Sequence, residues 1–85
     1  MKFRIYTKKS CPYCHMAIQL LSEHQKDFEC YALDTQPKLL NEIKSTYRWE
    51  TVPLVVEITE GKEKFIGGYT DLKEYLNKGK QLLQG

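Results

Sequence analysis

The chain is predicted to form an α/β domain with the element order β-α-β-α-β-β-α and a four-stranded mixed sheet flanked by helices. Three observations predict it. Segments that alternate apolar and polar residues are interleaved with segments whose apolar residues recur at helical spacing. A helix-length crossover separates the first two strand segments, which makes them parallel through a right-handed connection. A short glycine-containing turn separates the last two, which makes them antiparallel.

From Lys2 to Thr7, Phe3 and Ile5 alternate with Lys2, Arg4 and Tyr6, the pattern of a strand. A polar turn over Lys8–Ser10 follows, and Pro12 stands at the first helical position, where its fixed φ suits the backbone and its missing N–H costs nothing. Cys14, Ala17, Ile18 and Leu21 recur at helical spacing, so a helix is expected from Pro12 to Glu23, with Met16 and Leu20 widening its apolar side. Phe28, Cys30 and Ala32 mark a second strand ending near Asp34, with Cys30 on its buried side as a small hydrophobe. Asp34 or Thr35 is the expected cap of the next helix, which carries Leu39, Leu40, Ile43 and Tyr47 and ends among Tyr47, Arg48 and Trp49. Pro53–Ile58 and Lys64–Ile66 form a hairpin across a turn containing Gly61. Leu72, Tyr75 and Leu76 define a third helix starting near Thr70 or Asp71, with Gly79 as its stop and Lys80–Gly85 as a fraying tail or an extra turn.

At 85 residues the chain is expected to be one domain, 1–85, near the lower size at which a single apolar core suffices. Its 41% hydrophobic and 28% charged residues are ordinary for a soluble globular protein. The net charge of +2 comes from 13 basic and 11 acidic residues without long runs of either sign, so nucleic acid is not an expected partner. The segment Met1–Tyr6 is too short and too charged for a signal peptide, and no apolar stretch approaches membrane-spanning length. The cytoplasm is the expected compartment.

Two of the three cysteines lie in Cys11-Pro12-Tyr13-Cys14. A close pair in a cytosolic setting points to redox chemistry or metal, not to a disulfide scaffold. Three residues along a helix start place the two Cα atoms roughly 5 to 6 Å apart, inside the range a disulfide spans. Cys11 sits at the helix N-terminus, where unpaired N–H groups and the helix dipole favour an anion. The dipole typically supplies about 0.3 to 1 kcal/mol, whereas one pKa unit is worth about 1.4 kcal/mol. Backbone donors near Tyr13 and Cys14 and the charge of Lys8 or Lys9 must add the rest. Cys11 is therefore expected to be the nucleophile and Cys14 the resolving thiol. Cys11-Pro12-Tyr13-Cys14-His15 also matches the attachment pattern of c-type haem, but that chemistry goes with export. Zinc would need a fourth ligand beyond Cys11, Cys14 and His15 or Cys30, and no second close pair supplies one. No metal site is expected.

Four features in order resemble the glutaredoxin family, specifically its short dithiol members: Lys8 three residues before Cys11, the Cys11–Cys14 motif, Thr51-Val52-Pro53, and Gly67-Gly68-Tyr69-Thr70-Asp71-Leu72. Together they span nearly the whole chain. The resemblance implies the thioredoxin fold in its minimal form, with Pro53 cis, a state that only about 5% of X-Pro bonds adopt. It implies glutathione as the reducing co-substrate and no tightly bound cofactor. Thr51, Val52 and Pro53 would face the redox pair, with the Val52 backbone pairing with the cysteinyl unit of glutathione. Lys8 suits the glycyl carboxylate. The N-terminus of the third helix suits the γ-glutamyl carboxylate, with Thr70 adding a hydroxyl and Asp71 pairing the amine. Gly68 permits close backbone approach, and Tyr13 and Tyr69 look like groove walls.

The same resemblance implies two reaction modes, reduction of protein disulfides through both thiols and reduction of protein–glutathione mixed disulfides through Cys11 alone. Disulfide-containing or glutathionylated proteins would be the partners, ribonucleotide reductase among the common clients, and the chain would act as a monomer. Two other readings share these residues: a glutaredoxin-like protein reduced by thioredoxin reductase, and a dimer holding an iron–sulfur cluster. Arg48 reads as a solvated loop residue, His15 and His24 as surface residues, and no role attaches to Trp49 or Glu50.

Overall fold

In the computed structural model, which describes the backbone of residues 2–84 and the side chains of residues 2–77, the elements fall in the expected order. They are β1 (Lys2–Thr7), α1 (Pro12–Glu23), β2 (Phe28–Ala32), α2 (Pro37–Tyr47), β3 (Leu54–Thr59), β4 (Lys62–Gly67) and α3 (Tyr69–Gln84). The four strands form one sheet in the order β2-β1-β3-β4. β2 runs parallel to β1, with Ile5 opposite Cys30, and β3 runs antiparallel to β1, with Ile5 also opposite Val55. β4 closes the hairpin with β3 through Glu60 and Gly61, both at positive φ (53° and 78°), as a two-residue turn that matches the strand twist requires. This is the thioredoxin fold in its short form.

Alternation along β1 sends Phe3 and Ile5 to one face, where they pack with Ala17 and Leu21 of α1, Val55 of β3, and Leu72 and Leu76 of α3. Burial of each large aliphatic side chain here is worth about 1.5 to 3 kcal/mol. The opposite face is smaller. Leu54, Leu33 and Leu40 pack there with Tyr6, Tyr47, Trp49 and Phe65, which places α2 on that side. Helices thus cover both faces, in three layers.

Both connecting helices stop by the same device. At the end of α2, Arg48 takes the left-handed conformation (φ 54°), its N–H donates to the Ser45 carbonyl at 3.2 Å, and the Trp49 N–H donates to the Lys44 carbonyl at 2.9 Å. α1 closes likewise through Gln25 (φ 56°) and Lys26, onto Ser22 and Leu21. These paired bonds satisfy carbonyls that a helix end leaves open.

Several boundaries depart from the sequence reading. Neither Asp34 nor Thr35 caps α2. The cap position is Gln36, with no side-chain bond, while the Asp34 carboxylate accepts the Lys9 N–H at 3.0 and 3.2 Å and ties down the loop after β1. Pro53 precedes β3 instead of opening it, and β4 begins two residues before Lys64. α3 starts at Tyr69, before Thr70 and Asp71, because Gly68 serves as its cap. It also runs on through Gly79 to Gln84, consistent with the modest cost of about 1 kcal/mol for one glycine in a helix. The expected tail lies within that helix, with Gly85 outside the described residues. Met16 is 41% exposed and so does not widen the buried side of α1. Cys30 lies on the predicted face, beside Thr7, yet is exposed, because β2 is an edge strand that the helices do not reach across.

Candidate functional site

Cys11 is the N-cap residue of α1, with extended backbone (φ −104°, ψ 108°), and Pro12 follows at the first helical position. That conformation turns the Cys11 sulfur back over the helix end, where it accepts the Cys14 N–H at 3.3 Å. A cysteine thus fills the place usually held by a serine or aspartate oxygen. The Cys11 thiol also lies 3.6 Å from the Val52 carbonyl oxygen, on the far side of the cleft. The Cys11 sulfur is partly exposed, whereas Cys14 is buried at 1% exposure.

Burial pushes the Cys14 thiol up to about 12, and its contact with the Cys11 sulfur adds to the effect. An ordinary cysteine titrates near 9.0. At neutral pH the pair is therefore unequal: one sulfur is open to a substrate and bonded by a backbone donor, and the other is held behind it as a protonated thiol.

The loop carrying the pair is fastened at two points. The Lys9 N–H bonds Asp34, and the His15 ring N–H donates to the Lys9 carbonyl at 3.1 Å, so His15 braces the loop from an exposed position. Lys8 is exposed at the same loop.

Across the cleft, the Val52–Pro53 peptide bond is cis and Pro53 is fully buried. The start of α3 forms the third side. The Gly68 carbonyl accepts the Leu72 N–H at 3.0 Å, and the Asp71 carboxylate reaches back to the Gly68 N–H at 3.0 Å, the reciprocal half of a capping box. The first N–H groups of α3 have no acceptor within the helix and lie at the groove. Gly67 has φ 126°, and a Cβ there would stand 2.6 Å from Asp71 Oδ2, so glycine is required.

One groove of about 320 Å³ runs between these segments. Of the predicted binding residues, Tyr13, Thr51, Val52, Pro53, Gly68, Tyr69, Thr70 and Asp71 all line it, and Lys8 stands outside the lining. The Tyr13 and Tyr69 rings face each other with centroids 6.1 Å apart. The structure therefore gathers residues more than 50 positions apart in the chain beside one sulfur. Trp49, given no role from sequence, lines the same groove. It is placed there by the closing bond of α2, and the only sequence signal for it was a tryptophan two residues before Thr51. Arg48 lines a neighbouring hollow with Lys44, Ser45 and Glu50. Among the described residues, no group of three or more histidine, cysteine or carboxylate side chains is arranged to hold a metal, and no helix is long and apolar enough to cross a membrane.

Comparison with known proteins agrees with this arrangement. Residues 4–61 match the family model described as Glutaredoxin. A glutaredoxin of Pseudomonas aeruginosa is 40% identical over 76 residues, covering 89% of this chain and 86% of that protein. Among solved structures, a dithiolic glutaredoxin of Trypanosoma brucei brucei is similar at 33% identity with a TM-score of 0.74, covering 92% of this chain and 79% of that one. A glutaredoxin of Brucella melitensis is similar at 28% identity with a TM-score of 0.75, covering 95% and 84%.

Proposed function

The chain belongs to the glutaredoxin family, and from that premise we propose that it is a glutathione-dependent thiol-disulfide oxidoreductase acting on protein disulfides and on protein–glutathione mixed disulfides. The observation that carries the reading is the partly exposed Cys11 sulfur at the helix cap, 3.6 Å from the carbonyl of Val52, a residue that lines the groove between the Val52-Pro53 turn and the start of α3.

In the two-thiol mode, the Cys11 thiolate attacks one sulfur of a protein disulfide, and the other sulfur leaves as a thiolate that takes up a proton. Cys14 then gives up its proton and attacks the Cys11 sulfur, which releases the reduced substrate and leaves the Cys11–Cys14 disulfide. One glutathione reopens that bond by forming a Cys11–glutathione disulfide. A second attacks the bound glutathione and departs as oxidised glutathione. In the one-thiol mode, Cys11 attacks the glutathione sulfur of a modified protein and a second glutathione resets it.

The reading assigns each part of glutathione a partner at the groove. The Val52 backbone beside Cys11 is the partner proposed for its cysteinyl unit, and the N–H groups at the start of α3 offer a seat for the γ-glutamyl carboxylate. Lys8, exposed on the loop that carries Cys11 and outside the groove lining, is the cation proposed for the glycyl end. Glutathione is thus a co-substrate and not a resident cofactor. We place the protein in the reducing cytoplasm as a monomer, with ribonucleotide reductase among its clients.

The test is reduction of a small mixed disulfide with NADPH, glutathione and glutathione reductase. Turnover is expected with glutathione, to be abolished by Cys11→Ser. Cys14→Ser is expected to keep deglutathionylation and lose protein-disulfide reduction. Turnover only with thioredoxin reductase would overturn the glutathione assignment.

A further inference from the structure

Trp49 is the residue of the groove that the redox chemistry leaves unexplained. Its indole stands edge-on to Phe65, with centroids 5.4 Å apart, and Phe65 stacks on Tyr47 at 4.7 Å. Its own N–H is bonded to the Lys44 carbonyl, so both backbone and ring are held before any ligand arrives. The ring lies against the start of α3: Cζ2 and Nε1 are 3.6 and 3.8 Å from where a Cβ on Gly68 would stand, and the Pro53 carbonyl is 3.7 Å from the same point. Trp49 therefore fills the angle between the Val52–Pro53 turn and the Gly68 cap.

The indole Nε1 is buried and has no hydrogen-bond partner, alone in this among the side-chain polar atoms of the described residues. Buried donors are almost always paired, and an exception calls for an explanation. Here the unpaired dipole lies just beneath the groove, with its N–H edge against Gly68, the residue whose helix end faces the ligand. A fixed dipole in a poorly solvated wall acts at longer range than it does in water.

We propose that Trp49 is a specificity-determining residue, whose ring is the wall and whose N–H is the positive edge against which the carboxylate-bearing γ-glutamyl arm of the ligand is selected. The proposal rests on the glutathione reading above. It requires that a thiol lacking that arm gains nothing from Trp49, whereas one that carries it does.

The test is a single-turnover comparison in the full chain carrying Cys14→Ser, which stops the reaction at the Cys11 mixed disulfide. The reduced protein is mixed with the same peptide bearing either glutathione or cysteine in disulfide linkage, and the two transfer rates are measured. Trp49→Ala is expected to lower the glutathione-to-cysteine rate ratio by about tenfold, as removing a pocket wall does, with Trp49→Phe between it and the parent. A large parental ratio that neither substitution changes would overturn the role of Trp49 and leave the glutathione reading standing. A parental ratio near one would remove both.

A second measurement needs no change at Trp49. It is the only tryptophan in the chain, so its fluorescence reports this wall alone when the indole is excited selectively. Formation of the Cys11–glutathione disulfide is expected to shift or quench the emission, and the Cys11–cysteine disulfide to leave it near that of the free protein. Identical emission from the two adducts, each confirmed by mass, would refute the proposal.

Discussion

Replacement of Gly67 by alanine tests the way α3 is joined to the sheet. Gly67 ends β4 at φ 126°, a region that residues with a side chain almost never occupy, at a cost of about 1 to 3 kcal/mol. The added methyl would also stand 2.6 to 2.8 Å from the Asp71 carboxylate and its Cβ, the group that caps the Gly68 N–H. Displacing that cap costs about 1 kcal/mol more. The sum is about 2 to 4 kcal/mol, or roughly 10 to 30 °C in Tm for a domain of this size. Gly61→Ala is the control, because Gly61 also has positive φ (78°) but faces open space with nothing within 4 Å. It is expected to cost about 1 to 2 kcal/mol, from backbone strain alone. Urea unfolding of both variants, with glutathione-linked turnover measured alongside, separates strain from collision. Gly67→Ala is expected to be the less stable and to raise the KM for glutathione, and Gly61→Ala to leave KM unchanged. Equal stabilities would show that Asp71 moves aside freely, and the account of the α3 cap would fail.

Two further outcomes are expected. The Cys14 thiol is held at about 12 in the folded chain against an ordinary 9.0, so its contribution to stability is complete below about pH 9 and is lost as pH rises toward 12. Under reducing conditions the parent should lose about 1.4 kcal/mol more than Cys14→Ser between pH 8 and pH 10, and parallel curves would contradict the assignment. Tyr75→Phe removes the hydroxyl that donates to the buried Glu57 carboxylate at 2.7 Å, and should cost about 1 to 3 kcal/mol in urea unfolding while deglutathionylation continues.

Elements whose signals are local were legible in the sequence. β1 and α1 have the bounds read from alternation, from Pro12 and from the Cys14-Ala17-Leu21 spacing, and the hairpin follows from a glycine in a short polar turn. Where a residue had a distant partner, local reading failed. Asp34 has the chemistry of a helix cap, but the Lys9 backbone claims it. Thr70 and Asp71 look like helix starters, but Asp71 reaches back to Gly68, so the helix begins ahead of both. Cys30 has the periodicity of a core residue, and only the strand order reveals that it lies at an edge. The groove was legible through its motifs and not through physics alone. Trp49 stayed hidden because a left-handed arginine, rather than the usual glycine, ends α2 and swings the indole inward.

The two sulfurs ride on one unbroken stretch, Lys8 to Cys14, while the groove beside them is assembled mainly from residues 49–53 and 68–71. The electron-carrying part and the gripping part are therefore separable in heredity. A handful of substitutions in the second set would change which molecule resets the protein, with the nucleophile untouched. In such a layout, choice of reductant and thiol chemistry are set by different stretches of the chain.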